Sequence, residues 1–252
     1  MAKIIAVANQ KGGVGKTTTC VNLAASLHSL GKRVLVADCD PQGNATSGFG
    51  VEKASSPGAY EMLISGVAPF SCIKETEYGD VIPAGKNLAA ASVELASIEN
   101  RESVLRTALR SLYADYDYIF IDCPPSLELL TVNALVAADS VLIPMQCEYY
   151  ALEGIADLMT SIKLTKKRLN PNLGIEGIVL TMYDGRANLT LQVAGELRSF
   201  LGSKVYDTVI PRSVRLSEAP SHGIPGVEYD KNNRGSQGYL ALAEEFLSKQ
   251  GG

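Results

Sequence analysis

An apolar run at 3–8 (KIIAVA) passes straight into Asn-Gln-Lys-Gly-Gly-Val-Gly-Lys-Thr-Thr at 9–18, and a helical pattern follows over 17–30. A buried strand, a glycine loop and a helix in that order constrain the fold more than any other stretch. They open an α/β unit that binds phosphate. Gly12, Gly13 and Gly15 carry no Cβ, so the backbone can curl close to an anion. Successive N–H groups then form a nest, and the first turn of the helix adds the positive end of its dipole. Lys16 is placed for β- and γ-phosphate oxygens, and the Thr17 hydroxyl for Mg²⁺. The candidate nucleotide contacts are therefore Lys11, Gly12, Gly13, Val14, Gly15, Lys16, Thr17 and Thr18. The loop is not a literal G-x-x-x-x-G-K-[ST], because the first glycine falls on Gln10. A dinucleotide fingerprint fits worse, its third glycine being Thr18. Lys11 is the abnormal feature: an extra cation beside the nest, able to meet phosphate in its own subunit or across an interface.

Apolar runs alternate with helical patterns through the rest of the chain. Strands are expected at 34–37, 80–82, 118–121, 140–144, 174–182 and 205–210. Helices are expected at 59–64, 88–112, 126–137, 152–169, 189–201 and 238–247. Residues 42–57 are expected to be a polar loop. This pattern predicts one α/β domain over 1–252, with a mainly parallel sheet covered by helices on both faces. Ligands in such folds lie at the carboxyl ends of strands. The glycine loop, Asp38/Asp40 and Asp122 each fall at such an end.

The 252 residues can bury a sizeable core. A strand beginning by Lys3 leaves no room for a signal peptide. No apolar run reaches about 18 residues, so no membrane span is expected. Five widely spaced cysteines (20, 39, 72, 123, 147) include no C-x-x-C, which suggests reduced thiols in a cytoplasmic protein rather than a metal centre. His28 and His222 have no evident ligand partners. The net charge is −4, which alone argues against a nucleic-acid binder. The acidic excess lies in 1–159, however, and 160–252 are basic on balance, so a local basic surface stays possible.

Hydrolysis of a bound triphosphate needs a metal, an oriented water and positive charge on the transition state. Asp122 ends an apolar strand and is the candidate magnesium holder. Asp38 and Asp40 both follow the second strand. Residues i and i+2 share a side there, so spacing alone does not choose between them.

With K-G-G-V-G-K-T-T at 11–18, A-D-C-D-P-Q-G-N-A-T-S-G at 37–48 and I-D-C-P-P-S at 121–126, the chain resembles the ParA/MinD ATPases with their deviant Walker A loop. C-E-Y-Y-A-L-E-G at 147–154 and I-P-R-S-V-R-L-S-E-A-P-S-H-G at 210–223 make it similar to the chromosomal ParA (Soj) branch. The resemblance spans nearly the whole chain. It implies a P-loop NTPase-like fold, ATP and Mg²⁺ as cofactors, and an ATPase that is slow without its partner. It implies Asp40 as the residue that orients the attacking water, with Asp38 nearer the metal shell; Thr17, Asp40 and Asp122 form the metal set. It implies Lys11 acting in trans, two subunits sandwiching two ATP molecules, and Gly12 permitting their close approach. Adenine is expected near Met182 and Pro211, Arg212 and Ser213.

Arg186 and Arg215 match the arginines with which ParA-like proteins hold double-stranded DNA nonspecifically. Arg198, Arg212, Lys204 and 163–168 would extend that patch. No aromatic platform or helix-turn-helix is present, so contact with the DNA backbone is the natural mode. The implied partners are a second copy, DNA and a ParB-type centromere-binding protein, at the nucleoid. A MinD-like membrane cycle is the rival, but residues 240–249 include Glu244 and Glu245, whereas a membrane anchor should be basic and amphipathic. A metal-cluster ATPase lacks paired cysteines. A non-hydrolysing switch conflicts with the presence of Lys16 and Asp40.

Overall fold

The computed structural model describes residues 1–126, 128–148 and 151–251. Seven strands form its sheet: β1 Lys3–Val7, β2 Val34–Asp38, β3 Asp80–Ile82, β4 Tyr118–Asp122, β5 Ser140–Gln146, β6 Gly174–Tyr183 and β7 Val205–Pro211. Their order is β3-β2-β4-β1-β5-β6-β7, and every pairing is parallel. The strand runs are apolar because helices cover both faces. Ile4 and Ala6 point into one core layer, while Ile5 and Val7 point into the other. The second layer is closed by helix Lys16–Ser29 and by helix Arg234–Lys249, which contributes Tyr239, Leu242, Ala243 and Phe246. The C-terminal helix thus spends its apolar face on the core. Among the described residues no helix is long and apolar enough to cross a membrane.

Four expectations need correction. Residues 42–57 are not all loop, since Asn44–Gly48 is helical after Gly43, whose φ is +61°. No periodic pattern marks these five residues; tertiary bonds to Asp38, described below, hold them. The 88–112 pattern is two helices, Leu88–Glu94 and Val104–Arg110, joined through short 3₁₀ turns. Asn100, with φ +54°, breaks the run. Asn133 takes up the freed backbone: its Oδ1 accepts from Leu105 N at 3.2 Å and its Nδ2 donates to Arg101 O at 2.8 Å. The apolar face survives the break, with Leu95, Leu105 and Leu109 fully buried. The helix expected over 126–137 begins at Leu129, and residue 127 of that expectation lies outside the described residues. The last helix starts at Arg234 rather than 238, because the Asn233 side chain caps it by accepting from Gly235 N. Short helices at Pro69–Cys72, Val214–Glu218 and Gly226–Tyr229 carry no sequence period to announce them.

Candidate active site

The glycine loop leaves β1 at the centre of the sheet and enters helix Lys16–Ser29 through Gly15 (φ +85°), with Gly13 also at positive φ (+73°). Only glycine adopts that backbone without strain. Three side-chain bonds between residues distant in sequence bolt the loop. Asn9 Nδ2 donates to Pro144 O at 2.8 Å, Gln146 Nε2 to Gly13 O at 3.2 Å, and Thr181 Oγ1 to Val14 O at 2.7 Å. Sequence reasoning missed all three. The available signal was a lone polar residue inside or ending an otherwise apolar run.

Lys16 is nearly buried and its Nζ donates to Lys11 O at 3.1 Å. Burial holds its ammonium below the ordinary lysine pKa, against the opposing charges of Asp122 and Asp40. Lys11 stands on the exposed rim, ion-paired with Glu148 of its own subunit. Gly12 is exposed, without positive φ, and a Cβ there would meet nothing within 4 Å. Nothing within the subunit therefore requires a glycine at that position.

Across the loop lie the carboxylates. Asp38 and Asp122 are register partners at the carboxyl ends of β2 and β4, both fully buried. Thr17 Oγ1 donates to Asp122 Oδ2 at 2.8 Å, while Asp122 Oδ1 has no partner among the described residues. Burial pushes the Asp122 pKa well up, with the charge of Asp38 adding to the shift. A buried carboxylate oxygen without a partner costs free energy unless a cation or donor meets it. Asp38 differs. Its Oδ2 accepts from Thr46 N (2.8 Å) and Thr46 Oγ1 (2.7 Å), and its Oδ1 from Asp40 N (3.1 Å). Burial raises its pKa to about 6 despite those bonds. Both of its oxygens are bonded within the protein, so Asp38 braces the segment that follows β2. Asp40 follows with its Oδ1 held by Gln42 N at 2.9 Å.

Met182, Pro211, Arg212 and Ser213, separated by nearly thirty positions in the chain, come together. Together with Gly15, Thr18 and Tyr239 they line a cleft of about 360 Å³. That volume falls within the usual range for small-molecule and cofactor sites. Met182 adopts φ +49°, an uncommon backbone for a residue with a side chain.

Arg186 follows β6 and Arg215 follows β7, so both leave the carboxyl edge of the sheet, as the glycine loop does. Arg186 is exposed and makes no ion pair among the described residues. Arg215 is paired with Glu218 (3.0 Å) and Asp230 (3.5 Å). Of the expected extension of this patch, Arg212 lies on that edge, directly after β7, but the rest does not. Lys204 precedes β7 and donates to Ile175 O, and residues 163–168 finish the helix that leads into β6, so both lie toward the amino edge. Arg198 sits late in helix Asn188–Leu201, which runs the same way. In a parallel sheet the helices run back against the strands, and this separates the two basic groups. Tyr149 and Tyr150 of the 147–154 motif lie outside the described residues.

A family model described as an AAA domain matches residues 2–175. The sporulation initiation inhibitor protein Soj of Bacillus subtilis is 56% identical, over 98% of this chain and 99% of its own length. The chain belongs to the ParA/Soj family of partitioning ATPases. The chromosome partitioning protein ParA of Myxococcus xanthus is 53% identical, over 99% of this chain and 89% of its own. A solved structure from Mycobacterium smegmatis, named cobyrinic acid a,c-diamide synthase and holding ADP and magnesium, matches with a TM-score of 0.87 at 34% identity. The match covers 99% of this chain and 96% of that one. The α/β fold of the P-loop NTPases, expected from the alternating pattern and from the resemblance, is the fold observed.

Proposed function

We propose that residues 1–252 form one ATPase domain whose ATP-bound homodimer holds DNA nonspecifically and lets go after hydrolysis. The observation that carries this reading is the common edge: the glycine loop, Asp40 and Asp122 emerge on the same side of the sheet as Arg186 and Arg215. A change at the γ-phosphate therefore has a short route to the DNA-contacting segments.

Each residue then has a task. The loop N–H groups and Lys16 take the phosphates, and Thr18, Met182, Pro211, Arg212 and Ser213 form the wall for adenosine. Magnesium fits the carboxylates, because Asp122 offers a buried oxygen that lacks a partner among the described residues, beside the Thr17 hydroxyl, a hard-oxygen donor set. Thr17, Asp122 and Asp40 would hold it. When bound, the ion draws charge from the phosphate oxygens. Asp40 orients the attacking water and draws on its proton. Lys11 leaves Glu148 and reaches the neighbouring subunit's nucleotide, so that ATP becomes part of the dimer interface. The open space around Gly12 supports this, since its lack of a side chain has no purpose inside the subunit. A ParB-type partner on centromere-like DNA stimulates the reaction, in the cytoplasm at the nucleoid. The rival membrane cycle is disfavoured, because the apolar face of helix Arg234–Lys249 is buried against the sheet.

Arg215 must exchange Glu218 and Asp230 for phosphate. Exposed ion pairs of this kind are weak, so DNA can compete for it. The test is Arg186→Ala combined with Arg215→Ala. DNA co-sedimentation with ATP should fall sharply, and the salt dependence should lose about one unit of slope for each phosphate contact removed. ATP-dependent dimers should persist. Loss of the dimer as well would make these arginines structural and overturn the assignment.

A further inference from the structure

Thr46 lies outside every role assigned above, yet it is fully buried at the junction of three segments. Its Oγ1 donates to Asp38 Oδ2 at 2.7 Å and accepts from Ala84 N, just past β3, at 2.9 Å. Its own N–H donates to the same Asp38 oxygen at 2.8 Å. The other Asp38 oxygen accepts from Asp40 N at 3.1 Å. Asp40 is then turned by the Gln42 N bond to its Oδ1 and by Gly43 N donating to Asp40 O at 2.8 Å. A continuous chain of hydrogen bonds thus runs from the end of β3 through Thr46 and Asp38 to the Asp40 backbone. Buried networks that are fully satisfied are rigid, and a rigid carrier fixes a side chain to a fraction of an ångström.

We propose that Thr46 is a positioning residue for ATP hydrolysis, acting through Asp38 to fix the segment that carries Asp40. This rests on the reading of Asp40 as the residue that orients water. The Thr46 hydroxyl acts as both donor and acceptor here, which valine cannot reproduce although its shape is close. Without the hydroxyl, Ala84 N–H and one site on Asp38 lose their partner, and the 44–48 helix keeps only the backbone half of its anchor. The nucleotide cradle on β1, β5 and β6 does not depend on these bonds. Thr46 should therefore act on the rate of the chemical step and not on ATP binding.

The test is single-turnover hydrolysis at saturating Mg-ATP, with ATP affinity and thermal unfolding measured alongside, for Thr46→Val, Thr46→Ala, Thr46→Ser and Asp40→Asn in the full chain. Thr46→Val and Thr46→Ala should hydrolyse about 10- to 100-fold more slowly, the loss typical of a reacting group misplaced by about an ångström. Their ATP affinity should stay within about twofold, because the cradle is untouched. Thr46→Ser keeps the hydroxyl and should restore the rate. Thr46→Ala introduces no new bulk and serves if the valine variant does not fold. A lower unfolding temperature with an unchanged rate per folded molecule would make Thr46 structural and overturn the proposal. If Asp40→Asn is inactive while the Thr46 variants are normal, the latch alone fails. If Asp40→Asn hydrolyses normally, the reading of Asp40 fails and the latch with it.

Discussion

Lys16→Ala should weaken ATP binding by about two to three orders of magnitude, the scale on which several charge-assisted hydrogen bonds to phosphate are lost together. The size follows from where the ammonium sits. Lys16 is already nearly stripped of water, and burial has lowered its pKa. Much of the desolvation cost has thus been met in folding, and phosphate oxygens gain a preformed cation. The free protein should still fold, since the hydrogen bond made by Nζ is to the Lys11 carbonyl at the surface of the loop. Calorimetric titration with ATP, with thermal unfolding as a control, measures both effects. Normal affinity in a folded variant would refute the assignment of residues 9–18 as the phosphate cradle.

Asp40→Ala should separate binding from turnover. Hydrolysis should fall by about 10²- to 10⁴-fold, the usual contribution of a positioned general base. ATP binding and the ATP-dependent dimer should remain, so the variant should accumulate as a long-lived dimer on a sizing column. The fold tolerates this change because the bonds from Thr46 to Asp38 do not involve the Asp40 side chain. Asp38→Ala should behave differently. It removes the acceptor for two N–H groups and a hydroxyl in a buried site, so stability as well as rate should drop. Unchanged hydrolysis in Asp40→Ala would move the water-orienting role to another group.

The parts of this molecule that were legible in the sequence are those whose cause is local. KIIAV, VLVAD and YIFID read as buried strands because apolar, β-branched-rich runs have few other uses. The glycine loop reads as a phosphate cradle because its requirements lie within ten residues. The carboxylates were visible at strand ends, but their division of labour was not. Asp38 and Asp40 look alike in sequence, and only the bonds from Thr46 show that Asp38 is committed to the protein. The helix at 44–48 was missed because tertiary bonds hold it. The break at Asn100 was missed because its compensation comes from Asn133 on another helix. Asn9, Gln146 and Thr181 brace the loop through partners that sequence distance conceals. The basic residues misled in the same way: Arg186 and Lys204 are near neighbours in the chain yet belong to opposite edges of the sheet.

The central claim is that DNA attachment depends on the γ-phosphate through an ATP-bridged dimer. The measurement that meets it most directly is DNA binding by the unaltered chain across a salt series, with ADP and with ATP in parallel. A steep fall in affinity with salt, seen only with ATP, is the predicted result, because the dimer doubles the number of phosphate contacts and so the slope. Equal affinity and equal slope with both nucleotides would contradict the account.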